Sequence, residues 1–178
     1  MNEIVTVKVN GLQEINRALQ DLPFRIANKV LKKGVAAGAA LLRDAIRKAA
    51  PVRKTGGEMK VSNSRGSGSA MRSPGFLRKN IKSLYRRKAS GPGNVHYAIG
   101  PMGDAYYGYF VEKGHVIGKR KRYGRGIAEY NAGLKTVPAH PFMMPVFNSQ
   151  TNQIIEKMKD KLSEGIRKEG RDLGLNMK

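Results

Sequence analysis

Three histidines, His96, His115 and His140, and two carboxylates, Asp104 and Glu112, are the residues whose types could do metal or acid–base chemistry. A metal site built on one element needs ligands at helix or strand spacing, such as His-x₃-His, and these histidines sit at wide, irregular separations. His140 falls among prolines and apolar residues, where packing or a backbone hydrogen bond is the expected role. Asp104 and Glu112 could pair as general acid and base. In so basic a chain their expected part is to neutralise neighbouring Lys or Arg. No Gly-x-Ser-x-Gly elbow exists for a serine nucleophile. Neither Arg65-Gly66-Ser67-Gly68-Ser69 nor Gly91-Pro92-Gly93 matches a phosphate loop. A metal-dependent nuclease would need clustered acids, and the 13 present are scattered. The residues therefore point to a protein that is not an enzyme and takes no cofactor or metal.

Charge is the stronger signal. Across 178 residues, 34 are basic and 13 acidic, a formal net charge of +21. Such a balance favours phosphate polyanions or acidic protein surfaces as partners. The densest run is Lys119-Arg120-Lys121-Arg122-Tyr123-Gly124-Arg125, in a loop expected over 116–135. A second loop, 52–73, rich in Gly and Ser, carries Arg53, Lys54, Lys60, Arg65 and Arg72. Both are expected to be mobile, since they offer little apolar area to offset ordering entropy. They would meet DNA phosphates or an acidic partner without reading bases, because no recognition helix or stacking platform is visible. Cysteine is absent, which excludes disulfides and thiolate sites. No segment reads as a signal peptide or approaches a membrane span. The expectation is a single domain over 1–178, soluble and made in the cytoplasm.

The elements that position these residues follow from periodicity. Val5, Val7 and Val9 alternate with Thr6 and Lys8, a strand over 4–9. Leu12, Ile15, Leu19 and Leu22 mark a short helix stopped by Pro23. From Phe24 to Ala50 a long helix presents Phe24, Ala27, Leu31, Val35, Gly38, Leu42, Ile46 and Ala49 on one stripe, with Arg25, Lys29, Lys32, Arg43 and Arg47 opposite. Its middle is small-sided. Each of Gly34 and Gly38 costs about 1 kcal/mol against alanine, so close approach by a sheet or a neighbouring helix is expected there. Ser73-Pro74 reads as a helix cap followed by Leu77, Ile81 and Leu84 on a short basic helix. Val95–Ile99 alternates as a strand closed by Gly100-Pro101. Tyr106, Tyr107, Tyr109 and Phe110 then crowd a short helix or strand that runs through Glu112 to Gly114. Pro138, Pro141 and Pro145 stiffen an anchor carrying Phe142, Met143 and Phe147. Beyond it, Ile154 or Ile155, Met158, Leu162 and Ile166 line a terminal helix, with a frayed tail over 170–178. The fold class is α+β: a small antiparallel sheet packed by the long Ala/Gly-rich helix and a C-terminal helix, with two basic loops.

Several local patterns agree in order along nearly the whole chain. They are Asn10-Gly11-Leu12, the Ala-rich helix, Gly75-Phe76-Leu77-Arg78-Lys79-Asn80-Ile81, Tyr107-Gly108-Tyr109-Phe110-Val111-Glu112-Lys113-Gly114-His115, and Pro138-Ala139-His140-Pro141-Phe142-Met143-Met144-Pro145-Val146-Phe147. Together they resemble the neck and tail-completion (head–tail connector) proteins of long-tailed bacteriophages, of the Hong Kong lambdoid siphophage type. The resemblance implies a virion protein without catalytic activity, a homo-oligomeric ring at the head–tail junction. Its partners would be neighbouring connector or head-closure rings and tail-terminator or tail-tube proteins. Assembly contacts would come from Tyr106, Tyr107, Tyr109, Phe110 and the anchor, since Tyr and Phe are enriched at interface centres. The rival reading is a free, sequence-nonspecific nucleic-acid-binding protein, which explains the charge equally well.

Overall fold

The computed structural model describes residues 15, 19–20, 22–54, 56–62, 68–91, 93–117 and 135–172. The strand expected at 4–9 lies outside them. The chain is α+β, with elements α1 Phe24–Ala49, β1 Met59–Ser62, β2 Ser69–Arg72, α2 Phe76–Lys79, β3 Ile81–Tyr85, β4 Tyr97–Pro101, α3 Gly108–Lys113, β5 His115–Ile117, β6 Lys135–Val137 and α4 Met143–Asp172. The strands pair two by two, β1 with β2, β3 with β4 and β5 with β6. The chain divides into two compact units, Met1–Lys48 with Lys82–Gly100 and Val146–Lys178, and Ala49–Ile81 with Pro101–Pro145.

The first unit is built on α1 against α4. A Cβ on Gly34 would stand 2.5 Å from Leu162 Cδ2, one on Gly38 2.5 Å from Met158 Cγ, and one on Gly165 2.8 Å from Val30 Cγ1. As the α1 number rises by four the α4 number falls by three or four, so the helices run antiparallel with side chains of one seated on glycines of the other. This is the close approach expected of the small-sided middle, and the partner is a helix. It also corrects the apolar stripe. The buried residues of α1 are Val30, Gly34, Gly38, Ala39, Leu42 and Ile46. Leu31 and Val35 sit beside that line half-buried, and Phe24 is 60% exposed. The stripe holds at Gly38, Leu42 and Ile46 and shifts by one residue to Val30 and Gly34 before them. Leu22, Val30, Leu162 and Ile166 form a buried cluster, joined by half-buried Ile15, Leu19, Ile26, Ala27 and Leu31. Full burial of one such side chain stabilises by about 1.5–3 kcal/mol. On α4 the buried isoleucine is Ile154, and Ile155 is half-buried. Of the tail expected to fray over 170–178, residues 173–178 lie outside the described residues. Gly170 is buried and the helix continues to Asp172, with Glu169 ion-paired to Lys29 Nζ at 2.8 Å.

The second unit buries Ala50, Val61, Leu77, Ile81, Ala105 and Phe142. Its 52–73 segment, expected as a mobile loop, holds two paired strands, Met59–Ser62 and Ser69–Arg72. Antiparallel pairing sets Lys60 against Met71 and Val61 against Ala70. Val61 is buried and Ala70 half-buried, while Lys60 and Met71 are exposed. The alternation suffices for a hairpin although the mean composition is polar. The helix expected through Leu77, Ile81 and Leu84 is also corrected. A single turn, Phe76–Lys79, starts from Gly75 at φ 82, without a side-chain cap from Ser73. Asn80 closes that turn through its N–H on Leu77 and Phe76 oxygens and its side-chain amide on Phe76 O. Strand β3 follows, with Ile81 fully buried and Leu84 49% exposed. Three apolar residues spaced four and three apart fit a helix and a turn–strand alike. The strand expected at Val95–Ile99 forms two residues later, at Tyr97–Pro101.

Candidate functional site

Helix α3 takes the aromatic segment, which the sequence leaves open between helix and strand. Gly108 lets it approach closely, since a Cβ there would meet Leu77 Cδ1 and Pro101 Cγ at 2.6 Å. Gly114 ends it at φ 70, where a Cβ would stand 2.7 Å from Val137 O. Both the backbone angle and the carbonyl demand glycine there. The turn leads into β5, which pairs antiparallel with β6, His115 against Val137 and Ile117 against Lys135.

This arrangement brings Glu112 to the start of α4. Glu112 Oε2 accepts from the N–H of Phe142 at 2.7 Å and of Met143 at 2.9 Å, and Oε1 accepts from Met144 at 3.0 Å. Glu112 is 8% exposed and Phe142 6%. The opening turn of a helix leaves N–H donors without intrahelical partners, and a carboxylate there meets both the donors and the positive end of the helix dipole. Pro145, within that turn, has no N–H to leave orphaned. The N–H of His140 adds a hydrogen bond of 2.8 Å to Val111 O. Glu112 is therefore a helix cap bound by backbone amides, where ion pairing with Lys or Arg is the sequence expectation. Asp104 meets that expectation through Arg72 Nη2 at 2.6 Å.

On this frame the aromatics divide. Tyr106 and Tyr107 are half-buried. Tyr106 meets Phe110 edge-on at 5.8 Å between ring centres. Burial raises the Tyr107 phenol above its usual pKa, opposed by a backbone hydrogen bond at Leu77. Tyr109 and Phe110 are 44% and 45% exposed, and Val116 and Ile117, close by in the chain on β5, more than half. Within the anchor Pro138, Pro141 and Pro145 are exposed, Met143 and Phe147 half-buried, and Phe142 is the buried plug. Exposed apolar residues on a backbone fixed by Glu112 and Gly114 can bury area against another protein. The carboxylate of Glu112 is engaged by three backbone donors of that turn.

The basic residues are placed unevenly. Arg53, Lys54 and Lys60 are exposed, and the Arg53 guanidinium donates to Gly57 O. Arg72 is spent internally, on Asp104 and over the Phe76 ring at 4.8 Å. Arg65, Lys119, Arg120, Lys121, Arg122 and Arg125 lie outside the described residues. Arg25, Lys29 and Lys32, expected on the polar face of the long helix, are exposed there together with Lys33. Lys32 Nζ sits 4.1 Å over the Tyr85 ring. Among the described residues no cluster of three metal-ligating side chains occurs, and no helix is long and apolar enough to cross a membrane.

Residues 13–114 match the HK97-gp10-like family model, whose description reads "Bacteriophage HK97-gp10, putative tail-component". The match contains α1, the β1–β2 hairpin, β3, β4 and all of α3, including Glu112, whereas the capped start of α4 lies beyond it. Neither a curated protein nor a solved structure matches the chain. The family is one of phage structural components and not of enzymes, and it places this protein's role among the parts of a virion. With more than half of its residues inside the match, the chain belongs to the HK97-gp10-like family of bacteriophage proteins.

Proposed function

We propose that this protein is a structural subunit of the head–tail junction, forming a homo-oligomeric ring around the DNA channel and joining head connector to tail. The observation that carries the reading is the exposed Tyr109, Phe110, Val116 and Ile117 set on a backbone that Glu112 and Gly114 hold rigid, in a chain of a phage tail-component family. Closed cyclic symmetry lets one patch meet its complement on the next copy. Preformed apolar surface lowers the ordering cost of such an interface. The described cations Arg53, Lys54 and Lys60, with the basic run at 119–125, supply contacts to acidic neighbouring rings or to the phosphate backbone.

Virions purified and imaged by cryo-electron microscopy test the proposal: density for this chain belongs in a ring at the neck, and its absence there ends the reading. The free nucleic-acid-binding alternative is tested in parallel through the affinity of the isolated protein for duplex DNA across salt. A steep log–log slope with useful affinity near physiological salt, and no ring, would favour that alternative.

A further inference from the structure

One face of α1 and the β3–β4 pair enclose an open groove of about 620 Å³. Its apolar lining comes from Phe24, 60% exposed, and half-buried Tyr85, Val95 and Tyr97. Arg25, Lys29, Lys32 and Lys33, all exposed, line the same groove, and no acidic side chain is among the lining residues. Cations beside an apolar floor select a ligand that carries both acids and apolar side chains.

We propose that this groove docks an acidic, apolar-rich polypeptide segment of a partner protein. Three observations choose that occupant. A second copy of this chain is disfavoured at this groove, because its 13 acids are scattered singly among 34 basic residues and offer no acidic segment to Arg25, Lys32 and Lys33. The two tyrosines offer nucleobases no flat platform: Lys32 covers the Tyr85 ring at 4.1 Å, and Tyr97 leans against Tyr85 at 5.6 Å with the planes 53° apart. Phosphates alone would leave the exposed Phe24 ring and Val95 in water, whereas a segment with Leu or Phe between acids covers them. The volume suits a few side chains, within the range of ordinary binding clefts. All lining residues belong to the first compact unit, so the groove is independent of the ring proposal.

Fluorescence anisotropy with the full chain tests it, using a labelled short peptide that alternates Asp or Glu with Leu or Phe. A poly-glutamate peptide and a single-stranded oligonucleotide of equal charge serve as competitors. The mixed peptide is expected to bind at least about tenfold tighter than either, the scale of one buried apolar side chain. Phe24→Ser should weaken it by about tenfold or more, and Lys32→Glu with Lys33→Glu should abolish it. Both sites are exposed, so the variants fold, which a thermal melt verifies. Equal or tighter oligonucleotide binding, no binding of the mixed peptide, or binding indifferent to both variants would overturn the proposal.

Discussion

Leu162 stands where a side chain on Gly34 would have to be, its Cδ2 2.5 Å from the position of the missing Cβ. The antiparallel seat of α4 on α1 depends on that vacancy and on the equivalent one at Gly38. The two glycines are not equivalent in tolerance. Leu162 is 2% exposed and branched, while Met158, opposite Gly38, is half-buried and unbranched.

Alanine at either position gains about 1 kcal/mol of helix propensity, and overpacking costs about 1–3 kcal/mol. Gly34→Ala is expected to be destabilised on balance. Gly38→Ala should lose less, because methionine re-packs more readily. Urea midpoints of the two variants measure the order. Pairing Gly34→Ala with Leu162→Ala should show a favourable coupling in a double-mutant cycle, since the second change empties the space the first one fills.

Replacing Glu112 disturbs the opening of α4, whose first amides it binds. Glu112→Ala strips three buried or half-buried N–H groups of their acceptor, an expected loss of about 2–4 kcal/mol, from the cost of unsatisfied donors and of a lost cap. Glu112→Gln keeps one oxygen but turns an amide donor toward other donors, so it should fall between the parent and Ala. Hydrogen exchange at Phe142, Met143 and Met144 reads the site directly: their amides should lose protection while those near Leu162 keep theirs in Glu112→Gln.

Glu169 gives the fold an acid-sensitive contact. Hydrogen bonding to Lys29 lowers its pKa from the ordinary glutamate value, against the opposing effect of desolvation. A carboxylate held lower in the folded state contributes stability above its unfolded pKa and loses it as pH falls through the folded one. The melting temperature of the parent should therefore exceed that of Glu169→Gln at neutral pH, with the two curves converging below the ordinary carboxylate range. Curves that stay parallel would show that the pair does not contribute.

Tyr109 and Phe110 distinguish an assembly role from a folding role. Both are nearly half exposed, so Tyr109→Ser with Phe110→Ser should shift stability by less than about 1 kcal/mol, as surface changes do. Particle assembly should fail all the same, leaving unjoined heads and tails in lysates of phage carrying the double variant. Normal virion yield would remove these residues from the interface.

The sequence by itself determined the elements whose cause is local. It placed α1 and α4 through their periodicity, the strand near Val95–Pro101 by its alternation, and the need for something to approach Gly34 and Gly38 by the cost of glycine inside a helix. The family was legible too, in motifs inside the match such as Gly75–Ile81 and Tyr107–Gly114. It misread segments where one pattern serves two structures, as in the turn and strand from Phe76 to Tyr85, or where mean polarity hides a two-residue alternation, as in the hairpin around Val61 and Ala70. Only the tertiary structure decided that Glu112 binds amides thirty residues away, that Arg72 is held by Asp104, and that α1 cations share a groove with Tyr85 and Tyr97. Such pairings are set by packing between segments far apart in the chain, and neither residue's own neighbourhood encodes its partner.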